Sequence, residues 1–159
     1  MRRSMSFLAL LLAHLAVSGC GSSSNTIWVT GKLQKGGATY TPPAGQKLEM
    51  TFYAMEVIDE TGKKLTNAEP YLADLNPEDG TFSVPGAEGK GIPPGKYRVA
   101  ISQRLTRDAV EKASKAKRKV VNRDADSLAS QFGMATSPIM RDLTSSCEVT
   151  IDMDHPMPN

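Results

Sequence analysis

Lys47-Leu48-Glu49-Met50-Thr51-Phe52-Tyr53-Ala54 alternates strictly, with Leu48, Met50, Phe52 and Ala54 on one face and Lys47, Glu49, Thr51 and Tyr53 on the other. A period of two marks a strand that turns one face to a core. The pattern recurs on both sides. Ile27, Val29 and Leu33 share a face before the turn Gln34-Lys35-Gly36-Gly37, and Glu60-Thr61-Gly62-Lys63 reads as a hairpin turn. Residues 71–75 and 81–84 read as strands flanking Asn76-Pro77-Glu78-Asp79-Gly80, and Tyr97, Val99 and Ile101 alternate after Pro93-Pro94-Gly95. A last strand aligns Cys147, Val149, Ile151 and Met153. Short strands punctuated by Gly and Pro predict a mainly β domain, a single β-sandwich over residues 26–154 with a tail at 155–159. Its expected core is Leu48, Met50, Phe52, Phe82, Tyr97, Val99, Ile101, Val149 and Ile151, with Cys147 beside them.

One segment has a different period. Ala109, Ala113, Ala116 and Val120 recur at helical spacing, which predicts a helix over 108–121 inside a helical insertion near residues 107–132. Asp108 is the expected N-cap, with Glu111 three residues on. Asp108 with Lys112, and Glu111 with Lys115, sit at the supportive i,i+4 spacing. A second short turn takes in Leu128 and Phe132.

The chain has 159 residues, 40 % of them hydrophobic and 23 % charged, which is ordinary composition for one globular domain. Arg2 and Arg3 lie in a segment expected to be removed; without them 17 bases face 17 acids. A neutral mature chain lacks the field that phosphate binding needs, so nucleic acid is not an expected partner.

Met1-Arg2-Arg3 is a basic start, and residues 7–17 are an apolar run too short for the roughly 20 residues that span a bilayer. Small residues follow, the layout of a signal peptide over residues 1–19. Val17-Ser18-Gly19-Cys20 resembles the bacterial lipobox. That resemblance implies a lipidated Cys20, cleavage before it, and a membrane partner reached through the N-terminal lipid, with two or three acyl chains making the anchor stable. Gly21 replaces the Asp that signals inner-membrane retention in many Gram-negative lipoproteins, which points to the outer membrane, facing periplasm or surface, in a cell that has one. Residues 21–25 are a flexible tether reaching at most about 17 Å.

A second resemblance rests on four stretches: Val29-Thr30-Gly31-Lys32-Leu33, Met50-Thr51-Phe52, Asp79-Gly80-Thr81-Phe82-Ser83-Val84, and Gly91-Ile92-Pro93-Pro94-Gly95-Lys96-Tyr97-Arg98-Val99. Together they resemble the carboxypeptidase regulatory-like domains, grouped with transthyretin-like and collagen-adhesin B-type modules. The likeness covers residues 27–103 and the last strand; residues 106–143 depart from it. It implies an immunoglobulin-like or prealbumin-like β-sandwich that binds, braces or spaces, and it carries over no catalytic residues.

Several local patterns carry weaker chemistry. Gly91-Ile92-Pro93-Pro94-Gly95-Lys96 superficially resembles a phosphate loop, but its two prolines delete the N–H donors such a cradle needs, so it reads as a turn. Asp74, Asn76, Glu78 and Asp79 offer oxygens to a cation, yet the spacing fails the EF-hand template and favours a β-turn. Asp152, Asp154 and His155 could ligate a metal and read more simply as a solvated tail. Cys147, without a partner once Cys20 is lipidated, reads as a core thiol, with a reactive or intermolecular thiol as the alternative. No metal or cofactor is expected.

From Arg104 to Arg123 eight bases face two acids. A solvated helix face is one reading. The other makes Lys112, Lys115, Lys117, Arg118 and Lys119 a contact for an anionic envelope polymer, lipid headgroups or a protein. The function expected overall is a lipid-anchored, non-catalytic binding or scaffolding module of the cell envelope. The alternatives are a carbohydrate- or peptide-binding receptor, or an accessory envelope hydrolase using Asp124 and Asp126.

Overall fold

The computed structural model describes residues 25–58, 64–65, 70–117, 122 and 125–157. Its longest strands are the two whose alternation is cleanest, β3 (Gln46–Ile58) and β7 (Gly95–Leu105). They pair antiparallel from Gln46↔Leu105 to Val57↔Gly95, with an irregularity between Ala54 and Glu56. This register sets Met50 opposite Ile101 and Phe52 opposite Val99, and all four are buried. Cross-strand apolar pairs of this kind are the unit of sheet stability.

The remaining strands are β1 (Val29–Lys35), β2 (Ala38–Thr39), β4 (Lys64–Leu65), β5 (Tyr71–Leu75), β6 (Thr81–Val84), β8 (Met140–Leu143) and β9 (Cys147–Asp152). The protein is mainly β, a curled sheet in the order β9-β1-β6-β5-β3-β7-β8, with β2 also on β1 and β4 on β3. The named strands pair antiparallel except β1 with β9, which run parallel from Val29↔Cys147 to Gln34↔Asp152. The curl turns at β5. Its first three residues pair with β3, and Asp74 and Leu75 pair with β6 instead. Five residues therefore serve two diverging neighbours.

Inside the curl the aromatic rings form a chain. Tyr71 and Tyr97 are 6.2 Å apart, Tyr97 and Phe52 6.3 Å, and Phe52 and Phe82 6.1 Å, the first two pairs edge-to-face. Phe82 lies over Gly31, where a Cβ would come within 2.7 Å of the ring. A side chain at that position would displace the ring. Of the expected core, Met50, Phe52, Phe82, Tyr97, Val99, Ile101 and Ile151 are buried, while Leu48, Cys147 and Val149 are half-buried at its margin.

The far ends of the curl meet at β8 and β9. Arg141, only 8 % exposed, donates to the Met140 carbonyl at 2.8 Å, the Thr150 carbonyl at 3.3 Å and the Pro156 carbonyl at 2.9 Å. The guanidinium thus ties both edge strands to the end of the described chain.

Three expectations are corrected. Residues 106–143 are not wholly outside the sheet, because β8 belongs to it and Ile139 and Leu143 are buried. The helix α1 (Arg107–Lys117) is capped by Thr106, not Asp108. The Thr106 hydroxyl accepts from the Ala109 amide at 3.3 Å, and its carbonyl accepts from Val110 at 3.0 Å. Thr106 holds the non-helical position at the end of β7, which is where a cap must sit. Ala116, expected on the packed stripe, is exposed. The short turn expected at Leu128 and Phe132 is present as α2 (Ala129–Phe132), with Phe132 buried. The turn expected at 60–63 and Val120 of the stripe lie outside the described residues.

Phe52 and Phe82 are the load of this core. Phe82→Ala should lower the unfolding free energy by about 3–5 kcal/mol in urea titration, since the cavity between Gly31 and Phe52 has no neighbour free to fill it. A loss below about 1 kcal/mol would show that the ring chain is not what the sheet closes on.

Candidate functional site

The outward face of the curl carries aligned polar rows. On one row Glu148, Thr30, Ser83 and Asp74 stand side by side on β9, β1, β6 and β5. Thr150, Lys32 and Thr81 form the next, with the Thr81 carbonyl accepting from the Asn76 amide at 2.8 Å. These positions face out because their neighbours Val29, Gly31, Leu33, Phe82 and Val84 face in. Most of these row residues, with outward Glu49 and Leu72 and with Leu48, Ala73, Leu75 and Phe82 reached from the inward face, line an open groove of about 820 Å³. It opens where β5 leaves β3 for β6.

Glu49, Asp74 and Glu148 outnumber Lys32 in this lining, so the groove repels a polyanion. Its hydroxyls, amide and carboxylates instead offer hydrogen bonds at strand spacing, about 4.8 Å apart. That lining suits an extended, polar, neutral or cationic chain lying across the strands. Sequence reading missed it. Thr30, Lys32 and Ser83 carry no site reading and Asp74 reads only as an oxygen for a cation, and only the register brings them together.

The residues singled out from sequence are dispersed. Val17, Ser18, Gly19 and Cys20 lie outside the described residues, as do Arg118, Lys119 and Asp124. Lys112 and Lys115 lie on the exposed side of α1, Lys115 paired with Glu111 at 2.5 Å, and Lys117 ends the helix. None of residues 107–116 is buried, so α1 rests lightly on the sheet, its Ala109 methyl beside Gly45. Among the described residues no helix is long and apolar enough to cross a membrane.

Asp126 is tied into the fold. Its Oδ1 accepts from the Gln103 and Leu128 amides, each at 2.9 Å. Burial raises its pKa, but those two bonds and the Arg104 charge outweigh burial and hold it low. Gln103 is itself buried and fully engaged, accepting from the Tyr40 hydroxyl and donating to Gln46, each at 2.5 Å. This network fastens the insertion to β7.

The other patterns resolve into turns. Asn76 Oδ1 accepts from the Glu78 amide at 3.0 Å, and Asp79 Oδ1 accepts from the Thr81 amide and hydroxyl. At 91–96, Ile92 enters the core and the Pro93 carbonyl accepts from the Tyr97 hydroxyl. Among the described residues no group of three His, Cys, Asp or Glu is placed to hold a metal ion. Cys147 is half-buried on the inward face, and burial pushes its thiol up, which disfavours the reactive thiolate.

The tail is more ordered than a solvated end. Met153 is buried and its amide donates to the Gln34 carbonyl at 2.9 Å. Asp152 spans the turn below it, accepting from the Asp154, Gly36 and Gly37 amides at 3.0–3.1 Å. Both glycines have positive φ, which aims their successive N–H groups at one carboxylate.

Comparison of the chain with protein-family models, with curated proteins and with solved structures finds no match.

The Asp154 amide, then His155, Gly37 and Gly36, hold Asp152 below its ordinary 3.8. A depressed folded pKa contributes stability that is complete above that value and is lost as pH falls through the folded one. Asp152→Asn should therefore melt lower at neutral pH and lose part of the wild-type decline below about pH 4. Parallel melting curves of the two proteins across that range would contradict this.

Proposed function

We propose that the protein is a lipid-anchored, non-catalytic binding module of the cell envelope, whose binding surface is the outward groove on β1, β6 and β5. The observation that carries it is the groove itself: aligned hydroxyl, amide and carboxylate side chains on adjacent strands, open along its length. The ligand it suits is an extended, polyhydroxylated or amide-bearing polymer, which brings this reading close to a carbohydrate- or peptide-binding receptor. Asp126, already committed to two backbone amides, weakens a hydrolase built on that carboxylate.

The anchor rests on Val17-Ser18-Gly19-Cys20, and the outer membrane on Gly21. We assign the curl to the carboxypeptidase regulatory-like β-sandwiches. Two turns support this assignment: Asp79-Gly80 leads straight into buried Phe82, and Pro94-Gly95 into buried Tyr97. Both use a turn to deliver an aromatic to the core.

Two experiments test the reading. Wild-type protein should partition into detergent with acyl chains on Cys20, whereas Cys20→Ala should accumulate as an unlipidated precursor; mass spectrometry showing a free Cys20 thiol overturns the anchor. Separately, Ser83→Arg should fill the groove from an outward position without touching the core. It should weaken binding to isolated envelope polymer at least about tenfold, or about 1.4 kcal/mol. Unchanged binding overturns the groove as the site.

A further inference from the structure

The outward face is not polar throughout. One step beyond Val29↔Val84 the next residues are Trp28 and Pro85, and two steps along β5 from Asp74↔Ser83 lies Leu72. Trp28 is 53 % exposed and Leu72 57 %. Leu72 and Pro85 line a common hollow of about 270 Å³ with Pro70 and Ala87. This apolar row stands next to the Thr30–Ser83–Asp74 row, about 7 Å further along the strands.

We propose that Trp28, Pro85 and Leu72 dock shallowly on the surface of a lipid bilayer and so fix the domain's orientation. The proposal rests on the anchor reading and names the surface that meets the anchored membrane. Chain length commits the occupant. Trp28 is eight residues from Cys20, at most about 29 Å when fully extended, so the lipid confines this end of the sheet to the membrane's vicinity. The side chain suits that boundary, since tryptophan pairs an apolar ring with an N–H and concentrates where acyl chains meet headgroups. Composition sets the depth. Beyond Leu72 and Pro85 the face turns to Asp74, Ser83 and Thr30, and at the margin the exposed Lys90 is paired with Glu88. Only the first row enters.

Trp28 is the chain's sole tryptophan, so its fluorescence reports this contact without labels. The full lipidated protein is reconstituted into phosphatidylcholine vesicles with and without lipids brominated high on the acyl chain, and flotation is scored in parallel. Docking predicts blue-shifted emission, bromine quenching of at least about twofold, and loss of most of that quenching in Leu72→Asp with flotation intact. Floating protein with unshifted, unquenched emission overturns the docking and spares the anchor. A blue shift without quenching also overturns it, because Trp28 is then covered by a second copy or another protein. Protein that does not float overturns both readings.

Discussion

A curled sheet has two edges, and Arg141 holds this one's edges together. Edge strands carry unpaired carbonyls, which invite association with other chains unless something covers them. The Arg141 guanidinium takes one carbonyl from β8, one from β9 and one from the end of the described chain. Burial alone lowers its pKa, the mark of a charge removed from water. Carbonyl dipoles satisfy the guanidinium, and losing it would remove the donor that these three carbonyls share. This bridge lies beside the parallel ladder of β1 with β9 and opposite Tyr97, which pairs with Arg141 across β7 and β8.

The same residue explains what sequence reading could not see. In β8 the inward positions are Arg141 and Leu143, so the strand does not alternate apolar with polar and reads as part of an insertion. Where the inward residues are apolar in succession, as from Leu48 to Ala54 in β3 and from Tyr97 to Ile101 in β7, the period is plain and the faces follow. Alternation names a face but not a neighbour. Nothing in Cys147, Val149 and Ile151 says that they run parallel beside Val29 and Leu33. Thr106 escaped notice for a related reason: at the last step of a strand its capping hydroxyl resembles one more strand residue, and Asp108 is the more familiar signal. The groove was illegible because its members are spread over five strands and acquire meaning only in register.

Charge divides the molecule into two regions of opposite sign. The bases gather between Arg104 and Arg123, while Glu49, Asp74 and Glu148 outnumber Lys32 around the groove. A total of only +2 conceals this polarity, which composition could not reveal. One surface attracts anions and the other repels them, so the two regions suit different partners. Asp126 and Ser127 at the far end of the insertion are fastened to Gln103 of β7, while α1 itself rests lightly on the sheet.

On the lipid-anchor reading, topology separates the basic helix from the anchoring bilayer. Ile27 bridges Ile92 just before β7 begins, while α1 starts just after β7 ends at Leu105. Eleven residues of strand separate the two, about 33 Å at the usual rise. On the lipid-anchor reading Ile27 and Trp28 mark the membrane side, which puts α1 near the opposite end. Screening near physiological salt extends about 8 Å, so headgroups beneath Trp28 exert almost no attraction on Lys112 or Lys115. Among anionic partners for that helix, the anchoring bilayer is therefore the weakest candidate. From the aqueous side the helix attracts a polyanion, whereas the acidic groove further along the same sheet repels one and suits a neutral or cationic chain.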